Sequence, residues 1–362
     1  MFDIKCLSLN ETNSNDLSTT SGIEENFFAT TLNYVLESER NMIEVNKQLY
    51  RSLLESGSDV VAINEGFSDF TSKVVSIISK FLSFIKNLWD RFVRAINGAI
   101  RSDKYLIKHA DLLGKFDDSC EFDINDYTYT FKDNIPIIDA QANFQEGFIE
   151  LDSGTWDDNK TNREKSDAAK NNYETFKNKL DGDYYDSLRA SVIGRTGEKI
   201  SKEDYKDSLF KVFRNNEDTK EDITIKSDNV NTAYLFVKDY KTALKSVEDT
   251  KKQIEIQYTN IKNYVSSLLK VDKKDGGNKV SVNFDNKVSG ANNVAAYSVD
   301  SETLNYLNLF VKAKTDQISE MSAIHSISFS AKLDAFKECY KSSRSVCYKA
   351  IAQVQKIKRG EI

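Results

Sequence analysis

Proline is almost missing from this chain: Pro136 is the only one in 362 residues, where about 5% is usual. Proline breaks helix interiors, so its scarcity leaves room for long uninterrupted helices. Histidine is nearly as rare, with only His109 and His325. The four cysteines, Cys6, Cys120, Cys339 and Cys347, show no C-x-x-C spacing. With two distant histidines they make no zinc pattern, and they are too few for a disulfide framework. Free thiols of a reducing cytoplasm are the plain reading. No apolar run approaches the roughly 20 residues that span a bilayer. The start, MFDIKCLSLNETNSND, lacks the charged opening and continuous apolar core of a signal peptide, so a secretory route is not expected. An excess of basic charge is missing too. The 50 Lys and Arg face 56 Asp and Glu, for a net charge of −6, which argues against general or specific nucleic-acid binding.

What is present is helical pattern. Hydrophobic residues make up 40% and charged residues 29% of the chain, which suits a mainly α, elongated protein better than a compact enzyme with one deep core. The strongest pattern lies at residues 74–100. Apolar residues fall in pairs there: Val74/Val75, Ile77/Ile78, Phe81/Leu82, Phe84/Ile85, Leu88/Trp89, Phe92/Val93, Ala95/Ile96 and Ala99/Ile100. Steps of three and four put them on one broad stripe of a helix. The opposite face carries Lys73, Lys80, Lys86, Arg91, Arg94 and Arg101 against one acid, Asp90. Such a stripe is either buried in protein or docked on a membrane surface or a partner groove. Burial is the commoner fate and comes first.

Other segments follow the same logic. Residues 23–54 show a helical stripe with Phe27, Leu32, Leu36, Ile43 and Leu53, closed by Ser56-Gly57-Ser58. Residues 127–131 alternate like a strand, and a small β or mixed insert is expected at about 116–155. Short helices are expected around 173–180, 184–193 and 205–213, the last opened by Ser201 with Asp204. A heptad-like pattern runs over 230–269 through Val237, Tyr240, Leu244 and Ile261, with Lys251 filling one apolar place. The last helix carries Leu307, Val311, Ile318, Met321, Phe336 and Ile351. A long antiparallel C-terminal hairpin covers both stripes; an intermolecular coiled coil is the alternative. The regions are then 1–65, 66–115, 116–227 and 228–362.

Chemistry-bearing motifs are weak. The acids between Asp117 and Asp126, and Asp181-Gly182-Asp183 with Asp186, lack the spacing of a calcium loop, with Val192 where its last acid would stand. Gly194-Arg195-Thr196-Gly197-Glu198-Lys199 lacks the spacing of a phosphate loop and reads as a surface loop. Neither histidine has a partner nearby in sequence. Cys339 and Cys347, two turns apart, read as packing residues. No catalytic residue, metal or cofactor is expected.

One segment carries a resemblance. Ile63-Asn64-Glu65-Gly66-Phe67, the basic helix after it, and Ser102-Asp103-Lys104-Tyr105-Leu106 together resemble virion structural proteins, internal head proteins among them, of large tailed bacteriophages. Ile63-Asn64-Glu65 before Gly66 is also similar to the cleavage motif of phage prohead proteases. The likeness covers about residues 60–110, and the Lys- and Asn-rich, Pro-poor composition suits a phage of a low-GC host. It implies a non-enzymatic virion component made in the host cytoplasm. Residues 1–65 would be a propeptide removed between Glu65 and Gly66. The implied partners are other virion proteins or further copies of the chain, with an anionic membrane surface as the other expectation. Phe81, Phe84, Leu88, Trp89 and Phe92, with Lys80, Lys86, Arg91 and Arg94, would make that contact. In the alternative reading, a membrane-active protein linked to genome ejection or toxin-like, the same helix docks on lipid.

Overall fold

The structure is a computed structural model that describes residues 66–102, 106, 109, 121–122, 129–148, 155, 160–214, 225–270, 279–282, 295–298 and 301–359. The helical pattern at 23–54, Glu65, most of the acidic run at 117–126 and the helix expected after Ser102-Asp103 lie outside the described residues, apart from isolated helical positions at Leu106 and His109. In chain order the elements are α1 (Gly66–Ser102), β1 (Glu121–Phe122), α2 (Ala140–Gln145), α3 (Asn162–Leu180), α4 (Tyr184–Val192), α5 (Lys202–Phe213), β2 (Ile225–Lys226), α6 (Ser227–Lys238), α7 (Tyr240–Leu268), β3 (Leu269–Lys270), β4 (Lys279–Val282), β5 (Ala295–Ser298) and α8 (Ser301–Lys358).

The protein is mainly α, and α8 is its axis. Its 58 residues reach about 87 Å at 1.5 Å per residue. Helices α1, α3, α5, α6 and α7 all pack on it. Between Met321 and Phe336 nearly every position is buried, whatever side of the helix it occupies. Small residues make this feasible, because Ser322, Ser326, Ser330, Ala331 and Ala335 let neighbouring helices approach closely. The serine hydroxyls would be costly there if left dry and unpaired. Several turn back onto the helix: Ser322 donates to the Ile318 carbonyl at 2.7 Å and Ser326 to that of Ser322 at 2.8 Å.

The expected C-terminal hairpin is present. Tyr240 meets Tyr340 edge-on at 6.0 Å, Thr250 meets Lys332, and Tyr258 meets His325. Numbers climb on α7 as they fall on α8, so the two run antiparallel, joined through the antiparallel β3-β4-β5 ribbon. Helix α1 lies against both arms. Phe81 touches Tyr258 at 4.3 Å and Phe92 meets Phe336 edge-on at 5.4 Å. It therefore runs parallel to α8 and antiparallel to α7.

Two expectations change. The heptad stretch at 230–269 is not one helix: it breaks at Asp239 into α6 and α7. The Asp239 carboxylate accepts from the Thr242 hydroxyl at 2.9 Å, and its carbonyl accepts from the Thr242 amide at 3.1 Å, a local bonding pattern that competes with helix continuation. The break lets α6 pack on the last third of α8, where Val230, Ala233 and Tyr234 join Leu106, Val346, Cys347, Ala350, Ile351 and Val354 in a second apolar cluster. The strand expected at 127–131 also differs: its described residues, 129–131, belong to no strand, and 127–128 lie outside the described residues. Among the described residues, the strand pairing near this region is Glu121–Phe122 against Ile225–Lys226. Further along, α3 opens with a capping box of Thr161 and Glu164, and Ser201 caps α5 through the Asp204 amide at 3.1 Å.

Candidate functional site

Two features concentrate unusual chemistry: the outer face of α1, and a row of polar side chains buried along α8. On α1 the two sides part cleanly. Phe81, Phe84, Leu88 and Phe92 are buried in the main core, and Trp89 is half-buried beside Phe92. Lys80, Lys86, Arg91 and Arg94 are exposed, with Ser83, Asn87, Asp90 and Asn97 between them. The Arg94 guanidinium donates to the Asp90 carbonyl at 3.1 Å. The structure thus brings the nine expected contact residues onto one helix but divides them. The aromatic set faces α7 and α8, while the basic set faces solvent. Docking lipid through the apolar stripe would require α1 to leave its place in the bundle. Gly66 is the first residue of α1.

Along the edge of the basic face a second feature appears. Val75, Leu82 and Trp89, seven residues apart, are only half-buried. Equal spacing by seven keeps them in one row along the helix. The exposed side of α1 is therefore basic with an apolar margin.

The buried row on α8 was not anticipated. Lys314, Gln317, His325 and Lys332 occupy one face, and each reaches a backbone carbonyl of the segment 129–148, which contains the short helix α2. Lys332 donates to the Asp133 carbonyl at 3.0 Å, His325 to that of Ile138 at 3.0 Å, and Gln317 to that of Asn143 at 3.1 Å. Lys314 donates to the Phe144 carbonyl at 2.9 Å and to that of Glu146. The segment runs antiparallel to α8 as a strap: the Asp133 and Ile138 carbonyls lie before α2, and those of Asn143, Phe144 and Glu146 lie at its C-terminal end, where helix carbonyls lack intrahelical partners. Helix α7 takes part as well, with the Gln257 side chain accepting from the Ala140 amide at 2.9 Å.

Burial sets the electrostatics of the row. A carbonyl can only accept, so Nε2 of His325 carries the proton and Nδ1 accepts from the Tyr258 hydroxyl at 3.0 Å. Desolvation lowers the His325 pKa to about 4, against the smaller opposing effect of the Ile138 carbonyl, so the ring is neutral at pH 7. Burial likewise lowers Lys332 to about 8, and its ammonium also donates to Thr250 at 2.8 Å. Lys314 sits among four rings, 3.9 Å from the centroid of Phe176 and 5.2 Å from that of Phe148, with Phe144 and Phe310 both at 5.6 Å. Ring faces and carbonyl dipoles together replace the water this cation has lost. Tyr205, bonded to Ser328 at 2.8 Å, is pushed up by burial to about 12. These groups are tied into the fold rather than aimed at an opening.

Gly147, where the strap turns at a φ of 85°, holds a backbone conformation that other residues rarely adopt, and a Cβ there would just touch the rings of Phe176 and Phe310 at 3.4 Å. Beside it an open cleft of about 300 Å³ is walled by Asn171, Asn172 and Thr175 of α3. Gly182 forms the turn expected at Asp181-Gly182-Asp183, and the Asp183 carboxylate pairs with Lys199 at 2.5 Å. Residues 194–199 are exposed, as a surface loop should be. Cys339 and Cys347 are both buried, and burial pushes the Cys339 thiol up to about 12, leaving it little nucleophilic character. Among the described residues no three His, Cys, Asp or Glu converge as a metal site, and no helix is long and apolar enough to cross a membrane. His109 is helical and half-buried.

No family model, curated protein or solved structure matches the chain.

Proposed function

We propose that the protein is a non-enzymatic structural or assembly component of a bacteriophage particle, acting through the outer surfaces of its helical bundle. One observation supports this most. The apolar side of α1 is committed to the core, so what the helix offers outward is a firmly seated cationic face of Lys80, Lys86, Arg91 and Arg94. A face of this kind suits an acidic protein surface, on a neighbouring virion protein or another copy of the chain. Fixed charges favour orientation and partner choice more than raw affinity. The particle assignment draws on the resemblance at about 60–110, and with it the proposal of cleavage between Glu65 and Gly66.

The test is the intact mass and N-terminal sequence of the protein recovered from purified phage particles. Presence in particles with a start at Gly66 supports both parts of the reading. A start at Met1 retains the structural role and removes the propeptide. Absence from particles overturns the proposal. Sedimentation with anionic vesicles checks the lipid alternative: the structural reading expects the protein to stay in the supernatant at about 0.15 M salt, where exposed charges farther apart than about 8 Å are screened.

A further inference from the structure

We infer that the cationic face of α1 is covered, before any processing, by the acidic N-terminal segment of the same chain. The inference rests on the reading of that face as a docking surface and names its first occupant. Charge complementarity comes first. Residues 1–65 hold 11 Asp and Glu against 4 Lys and Arg, a net charge of −7, while residues 66–102 hold 6 basic residues against 2 acids, a net charge of +4. Without residues 1–65 the chain would change sign, from −6 to +1.

Position comes second. The acidic segment joins α1 directly at Gly66, so the face meets it as a tethered group rather than as a separate molecule, at a raised effective concentration. The helical pattern at 23–54 is separated from α1 by only 11 residues, 55–65. At 1.5 Å per residue, that 32-residue pattern would span about 48 Å, enough to run back along the roughly 32 Å between Lys73 and Arg94.

Surface character comes third. The half-buried row Val75, Leu82 and Trp89 borders the basic residues, and the stripe at 23–54 has apolar residues to set against it. Acids such as Glu24, Glu37, Glu39 and Glu44 would then meet Lys80, Lys86, Arg91 and Arg94. Cleavage after Glu65 would free the face for an acidic partner at the stage when the segment is lost.

Zero-length carbodiimide coupling of the full chain, read by mass spectrometry, tests the contact. The ion pairs Lys179–Glu146 and Lys202–Glu320, present in the structure, serve as internal positive controls. The expected result is amide bonds from Lys80 and Lys86 to carboxylates within residues 24–59, formed inside one molecule in a mixture of isotopically light and heavy protein. Mixed-isotope pairs alone would assign the face to a second copy and overturn the inference. So would no coupling at Lys80 and Lys86 while the control pairs couple. A second measurement avoids reliance on the lysines. Reversing K80E, K86E, R91E and R94E together is expected to speed chymotrypsin cleavage at Phe27, Phe28 and Tyr34 about tenfold, and E24K with E25K, E37K and E39K to restore protection. Unchanged cleavage in the reversed protein would overturn it. Neither readout depends on phage particles, so this inference and the particle assignment fail separately.

Discussion

Helices α1 and α8 are both long, and both carry apolar stripes, yet they solve opposite problems. Helix α1 has one wet side, so its polar residues gather there and its core side is almost purely apolar. Helix α8 has no wet side over much of its middle, so its polar residues are inside, and the long and charged ones among them reach for partners. Lys314, Gln317, His325 and Lys332 find theirs in the carbonyls of the strap at 129–148. The difference shows that a charge on a helix carries no fixed meaning. On α1 a lysine marks the surface, and on α8 it marks the place where an irregular segment is held.

The comparison can be broken most forcefully at the aromatic junction where both helices meet. Phe336 is fully buried and touches Phe92, Phe131, Phe236 and Tyr340. Phe336→Ala should cost about 3–5 kcal/mol, as other large-to-small core changes do, read as a lower midpoint in urea unfolding. Next comes the row itself. Lys314→Met keeps the length of the side chain but leaves the Phe144 and Glu146 carbonyls without this donor, and should cost about 2–4 kcal/mol. Amide exchange should rise first at residues 140–148, not at α1.

Acid offers a graded version of the same test. His325 is neutral when folded, with a pKa of about 4, against an ordinary value of 6.5. Between those values the unfolded chain binds more protons than the folded one. Stability is therefore fully present above pH 6.5 and falls as pH drops toward 4, by about 3 kcal/mol from this group. His325→Gln should flatten that slope in urea titrations at pH 7, 5.5 and 4, even if it lowers stability at pH 7. The smallest effect belongs to the outer face of α1. Lys80→Ala or Lys86→Ala should stay within about 0.5 kcal/mol of the parent in the same assay. A loss above 1 kcal/mol would show that this face is already structural.

Much of this organisation can be read from residue spacing. The pairs from Val74 to Ile96 place the buried side of α1, and Ser201 with Asp204 places the start of α5. The antiparallel hairpin follows from two adjacent stripes of similar length. The strap does not follow so easily. Its alternation is visible in Phe131, Ile135 and Ile137, but alternation reveals an extended backbone and says nothing of what takes the carbonyls. The partner is a helix nearly two hundred residues away in sequence. A signal was available on α8 itself: the three-four steps from Leu307 through Val311, Ile318 and Met321 fall on Lys314, His325 and Lys332 as well. Polar residues standing on steps of an apolar stripe are candidates for inward-pointing anchors. The break at Asp239 was hidden for the opposite reason, since the apolar steps continue across it without a gap. The division of the expected contact residues on α1 was legible in kind, because burial was the first reading of the stripe. Which neighbours would cover it was not, since helix pairing is decided by shape over long range.

Helix α8 passes through both apolar clusters, from Leu307 and Phe310 in the first to Ile351 and Val354 in the second. Neither cluster can loosen without stripping neighbours from a rod the other still grips. Thermal melting of this part of the chain should therefore be a single cooperative event, and a disturbance at one end has a stiff element along which to reach the other, about 60 Å away between Lys314 and Val354.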